Sequence, residues 1–291
     1  MRIGALEAGG TKMVCAIGDE NGNIFKQETY PTLTPNETMP KLIEFYKNEN
    51  IETLGIACFG PIDINPHSLT YGYITTTTKL AWQNFDIVGT FEKELNVPIG
   101  FDTDVNGSAL GEYKFGIGKS VQNLVYITVG TGVGIGVISE GRPIHGMMHP
   151  EGGHVILSRH PKDNYKGKCP FHENCVEGLA GGPAVEERWG KKAIDLVDKK
   201  EVWELESYYL AQALIDYTMI LSPEMIIMGG GIMHNPHLLK MIKENFVKMN
   251  NGYIKTKRIE AIDKYIVLQS LDDKQGILGA LYLGRIAAET A

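Results

Sequence analysis

The chain has 291 residues, 43% of them hydrophobic and 22% charged, with 28 Lys+Arg against 35 Asp+Glu for a formal net charge of −7. At roughly 150 residues per domain this is about two domains' worth of globular chain, neither disordered nor coiled-coil in composition. The acidic balance without a basic run excludes a duplex nucleic-acid surface, and no apolar stretch reaches a membrane span: the longest candidate, Leu124–Ile138, is interrupted by Gly130, Gly132, Gly134 and Gly136.

Read in order, Arg2–Glu7 is predicted as a strand, Ala8-Gly9-Gly10-Thr11 as a turn, and Met13–Ile17 as the partner strand, with a second turn at Asp19–Gly22 leading into Ile24–Thr29. Helical periodicity follows at Met39–Asn50, Ile87–Leu95 and Asn106–Phe115, with short apolar strands at Thr53–Cys58 and Val97–Phe101. The opening order then recurs about 120 residues on, as strand Leu124–Val129, turn Gly130-Thr131-Gly132, strand Gly134–Ile138 and turn Ser139–Gly141. That self-match is too long-ranged for a solenoid and points to a duplicated domain. Beyond it lie a polar loop at Lys162–Gly167 and helices at Ala184–Val197, Val202–Leu221 and Pro236–Met249. Strands at Met225–Met228 and Tyr265–Leu268 and a small-residue helix at Gly276–Ala288, expected to pack on the first half, complete the pattern. Such alternation specifies an α/β architecture with mixed sheets. The expected lobes are 1–116, completed by 276–291, and 117–275.

Two familiar phosphate loops fail on inspection. The alternating glycines 130–136 belong to a hairpin, not to a G-x-G-x-x-G helix entry. Gly118-Lys119-Ser120 has the tail of a G-x-x-x-x-G-K-[ST] loop, but Tyr113 stands at its first glycine. What remains is one Gly-Thr hairpin tip per half, whose amides and hydroxyls suit anionic oxygens. Two such tips across a cleft would grip a phosphate tail from both sides.

Two constellations carry further chemistry. Asp104 follows a strand and opens a helix, where a cleft residue or a helix cap is expected; Asp102 competes with it for a catalytic role. Cys169, His172 and Cys175 stand three apart, with a further histidine upstream, a set suited to structural zinc. On spacing alone His149, His154 or His160 serves as the fourth ligand. Cys15 and Cys58 lie in apolar strands and read as core, and the four cysteines do not form a disulfide scaffold at this length. The amino-terminal residues carry Glu7 where a secretory signal would be apolar, so a cytoplasmic protein is expected.

Leu6–Lys12, Thr103–Glu112, Gly130–Gly134 and Glu151-Gly152-Gly153-His154 together resemble, in order and over essentially the whole chain, the ROK sugar kinases (repressors, open reading frames, kinases). The resemblance implies the actin-like ATPase (ribonuclease H-like) fold, with duplicated domains and a cleft between them. It implies phosphorylation of a sugar by ATP with Mg²⁺, Asp104 as general base, and a homodimer. It places Gly9, Gly10, Thr11, Lys12, Gly130, Thr131, Gly132, Pro183, Gly230 and Gly231 around the nucleotide. Gly60, Thr103, Asp104, Glu151, His154 and Glu177 fall at the sugar, and His154, Cys169, His172 and Cys175 form the zinc set.

Three departures from common family patterns are visible. Glu7 stands where many members have Asp, which puts direct Mg²⁺ contact in question; Thr103 replaces Asn before the catalytic Asp; and His172 replaces a zinc-loop Cys. The last two resemble the bacterial fructokinase branch, implying D-fructose phosphorylated at its 6-hydroxyl. Glucokinase, mannokinase and N-acetylhexosamine kinase activities are the alternatives. A sugar-sensing regulator would need a DNA-binding domain ahead of the phosphate motif, which already begins at Glu7, and an actin-like assembly protein would have no use for the zinc loop or the sugar carboxylates. Neither reading is favoured.

Overall fold

The computed structural model describes residues 1–290. Contacts divide the chain into two compact units, residues 1–120, 142–150 and 270 onward in one, 121–141 and 151–269 in the other. Segment 142–150 thus belongs with the first unit although it follows the second hairpin in sequence.

The first unit opens with β1 (Ile3–Ala8), β2 (Lys12–Gly18) and β3 (Ile24–Pro31), then α1 (Pro35–Lys47), β4 (Thr53–Cys58), α2 (Ile87–Leu95), β5 (Ile99–Thr103) and α3 (Asp104–Lys114). Its sheet runs β3-β2-β1-β4-β5; β1 pairs antiparallel with β2 and parallel with β4, and β4 is parallel to β5. The edge strand β3 is mostly exposed and carries Lys26, Glu28 and Pro31, residues that discourage pairing with another chain. Helix α1 starts four residues before the predicted Met39: Pro35 suits a first-turn position, and the Glu37 carboxylate accepts the Thr34 amide at 3.2 Å.

The second unit repeats the plan with β6 (Leu124–Val129), β7 (Val133–Ser139), α4 (Val176–Ala180), α5 (Gly182–Trp189), α6 (Lys200–Leu221), β8 (Met225–Gly229), α7 (Leu238–Asn250) and β9 (Ile266–Leu268). Its strands run β7-β6-β8-β9, again one antiparallel pair followed by parallel neighbours. The predicted helix Ala184–Val197 is not continuous. It stops at Trp189 because Gly190 takes φ +68°, a left-handed helix stop, and a short 3₁₀ turn at Ala193–Leu196 follows.

Helix α8 (Gln275–Thr290) returns to the first unit. Leu6, Leu54, Ile56 and Cys58 face the core supplied by Leu42, Tyr46 and Phe91 of α1 and α2. Strand alternation sends Gly55 to the opposite face, where any side chain would strike the Ala280 carbonyl of α8. The helix therefore lies on bare backbone. Beside it, the fully buried Glu112 at the end of α3 accepts the Ile117 amide at 3.1 Å, the Ser270 amide at 2.6 Å and the Ser270 hydroxyl at 2.7 Å. No helix among the described residues is long and apolar enough to cross a membrane.

Candidate active site and metal centre

In the first unit the turn between β1 and β2 is closed by the Gly9 amide donating to the Lys12 carbonyl at 3.0 Å, and the Thr32 hydroxyl holds the Gly9 carbonyl at 2.7 Å. Thr11 and Lys12 are exposed at this tip, beside Gly10. Glu7 is the penultimate residue of β1. It abuts α8 so closely that a Cβ on Gly276 would fall 2.6 Å from its carboxyl carbon.

Strand β5 ends two residues later than its apolar run suggests, so Asp102 and Thr103 are strand residues and Asp104 is the first residue of α3. The helix cap is Thr103, whose buried hydroxyl accepts the Asn106 amide at 3.1 Å. The Val105 amide donates to Asp104 Oδ1 at 2.9 Å. Burial pushes the Asp104 carboxyl up to about 7; the Val105 hydrogen bond opposes this and the negative charge of Glu7 adds to it. Glu7 is itself raised, first by burial and then by Asp273, with Lys12 opposing. Two mutually repelling carboxyls in one poorly hydrated place, the second half-titrated near neutrality, form an arrangement suited to taking a proton from an alcohol.

The competing Asp102 is already committed. Its Oδ1 accepts the Thr103 amide at 2.8 Å and the Asn106 side-chain amide at 2.7 Å, and its Oδ2 meets His145 Nε2 at 2.8 Å. His149, buried four residues on, meets the Ile62 amide with Nε2 at 3.2 Å, beside Gly60. Neither histidine contact was read from the sequence, because the partners are 43 and 87 residues apart and no local pattern joins them.

In the second unit the expected nucleotide elements gather at the carboxyl ends of the parallel strands β6 and β8. The Gly130 amide donates to Gly132 at 2.9 Å, and the Gly130 carbonyl accepts the Gly182 amide at 2.7 Å, next to Pro183 at the start of α5. Gly230, at φ +89°, turns tightly against Val129, and no side chain would be obstructed at Gly231, so an open backbone shelf results. Thr131 is exposed at the tip. Carboxyl ends of parallel strands are where α/β folds bind ligands.

Glu151 is exposed and precedes the short turn Gly152–His154, its carbonyl accepting the His154 amide at 3.0 Å. Glu177, in the first turn of α4, accepts the Val133 amide on its Oε2 at 3.1 Å. This carboxylate therefore ties the Cys-rich loop to the Gly130–Gly132 tip.

His154, Cys169, His172 and Cys175 each offer a ligand atom, all within 4.8 Å of one another. His149, by contrast, is spent on Ile62, and it is His154 whose ring lies with the three loop residues. His154 Nδ1 lies 3.7 Å from Cys169 Sγ and 3.6 Å from Cys175 Sγ. For Zn–S near 2.3 Å and Zn–N near 2.05 Å, a tetrahedron has an S···N edge of about 3.6 Å, so the residues fit a zinc ion. Because Nδ1 faces the set, Nε2 of His154 stays available for a hydroxyl.

A model described as the ROK family matches residues 3–286. The chain belongs to the ROK family. This ROK chain is 44% identical to a fructokinase of Pediococcus pentosaceus over all of both chains. It is also 44% identical to a fructokinase of Lactococcus lactis subsp. cremoris over 96% of each. Among solved structures, a ROK hexokinase from Thermus thermophilus superposes with a TM-score of 0.83 at 21% identity, covering 100% of each chain. The fold of the ROK chain is thus the two-domain α/β actin-like ATPase fold.

Proposed function

We propose that the protein is an ATP-dependent fructokinase that forms fructose 6-phosphate, with glucose and mannose as slower substrates. Full-length identity of 44% to named fructokinases supports the sugar; the carboxyl of Asp104, poised near neutral pH at the head of α3, carries the chemistry. Asp104 accepts the proton of the 6-hydroxyl as that oxygen bonds to the γ-phosphorus, and the bond to the ADP oxygen breaks. Phosphoryl transfer needs mainly position and charge stabilisation, so one oriented carboxylate suffices. The tips Gly9–Lys12 and Gly130–Gly132, with Pro183, Gly230 and Gly231, bind the nucleotide. Gly60, Glu151 and the free nitrogen of His154 bind the sugar. Thr103 and Glu177 act by holding their neighbours in place.

The crowded, raised carboxyls of Glu7 and Asp104 fit a nearby divalent cation, reached from Glu7 through water. Bound with ATP, Mg²⁺ would supply charge neutralisation on the phosphates. Zinc at His154, Cys169, His172 and Cys175 is structural, since four protein ligands close the tetrahedron. The two units are the two kinase lobes, and resemblance to ROK kinases extends the proposal to a cytoplasmic homodimer. Coupled ADP release across a panel of hexoses tests the function. Fructose is expected to turn over fastest, and rapid turnover of glucose or N-acetyl sugars with none of fructose overturns it.

A further inference from the structure

We propose that His145 is a positioning residue of the transfer: it holds the buried Asp102 carboxylate, and Asp102 in turn anchors the capped first turn of α3 from which Asp104 reaches the sugar hydroxyl. The inference rests on the role of Asp104 given above and adds a residue that the motifs do not contain.

The geometry is a three-link chain within the first unit. Asp102 has 2% of its side chain exposed, whereas His145 is 41% exposed, so the histidine caps a buried anion from the solvent side. Asp102 Oδ2 takes the His145 ring at 2.8 Å, while Oδ1 takes the Thr103 amide and the Asn106 side chain at 2.8 and 2.7 Å. Thr103 and Asn106 flank Asp104 and are joined to each other by the cap bond. A buried carboxylate is retained only where charge and hydrogen bonds compensate it. Here the ring of His145 supplies the contact on Oδ2. Without that contact, nothing holds Oδ2 of Asp102, and the cap turn carrying Asp104 loses part of its anchor. A misplacement of about 1 Å in a reacting group costs on the order of 100-fold in rate.

The hydrogen bond to Asp102 holds His145 above the ordinary histidine value, against burial. The other titratable groups around the pair are His149 in the same segment, kept low by burial, and Tyr71, raised by burial and by the Asp102 charge. The wild-type kcat should therefore decline on the alkaline side as His145 loses its proton.

The experiment measures kcat and KM against pH for His145→Gln, His145→Ala and Asp102→Asn, with Asp104→Asn alongside and melting curves for each. We expect kcat to fall 10- to 100-fold in the first three with both KM values within threefold. His145→Gln should lack the alkaline decline, and a variant combining His145→Gln with Asp102→Asn should be no slower than its slower parent. Either a kcat within twofold of wild type with the alkaline limb unchanged, or a rise in KM alone, overturns the proposal. If Asp104→Asn stays active, the general-base reading fails separately. His145→Gln, which keeps the side chain's size and a donor, decides the matter if the alanine variant does not fold.

Discussion

A general base that is expensive to keep leaves a thermodynamic trace. Lifting the Asp104 carboxyl from its ordinary 3.8 to about 7 favours the protonated form by roughly 4 kcal/mol, at about 1.4 kcal/mol per tenfold. The folded state binds this proton more tightly than the unfolded state does, so stability is lost as pH rises from 3.8 through 7. Asp104→Asn removes the penalty and keeps an oxygen for the Val105 amide. Asp104 is partly buried rather than sealed, and solvent screening halves the effect, leaving about 2 kcal/mol at pH 8 and under about 1 kcal/mol at pH 5. For a chain of this size that is about 3 °C in melting temperature at pH 8. The assay is paired thermal melts at both pH values, with ADP release measured on the same preparations. The variant should be inactive, more stable at pH 8, and barely different at pH 5. A variant that is less stable at pH 8, or a gain that does not shrink on acidification, refutes the picture of a strained buried base.

Four further outcomes follow from the same structure. The wild-type kcat/KM for fructose should fall about tenfold per pH unit below about 7, as Asp104 takes up its proton, and a flat profile down to pH 5 would exclude it as base. Elemental analysis should find one zinc per chain, and Cys175→Ser should lose both the metal and several degrees of melting temperature. Glu177→Gln removes a charged acceptor from the Val133 amide, a bond worth about 1.5–3 kcal/mol, and should raise KM for ATP severalfold with little change in that for fructose. Gly276→Ala drives a methyl into the Glu7 carboxyl and should cost about 1–3 kcal/mol of stability, measured by urea titration.

Much of this was legible because it is local. Strict period-two apolar runs around Gly-Thr set both hairpins, and Thr53–Cys58 and Leu124–Val129 are strands over the residues their patterns mark. Cys169, His172 and Cys175 are set three apart by a single tight loop, so spacing alone reveals them. Boundaries were less legible where capping overrides periodicity: α1 begins at Pro35, and α3 begins at Asp104 because Thr103 supplies the cap. The apolar pattern of 184–197 carries straight across Gly190, whose left-handed backbone ends the helix. What sequence could not supply are long-range polar pairs. The contacts of Asp102 with His145 and of Glu177 with the Val133 amide join residues 43 and 44 apart that no local pattern links.

The return of α8 to the first unit bears on biosynthesis. On the ribosome, β1 to α3 emerge well before residues 275–290, and one face of their sheet stays uncovered until all of the second unit has been made. The second unit has no such debt and can close while translation continues. The unit that begins the chain therefore matures last, and during that wait the sheet face around Gly55 is open to chaperone capture.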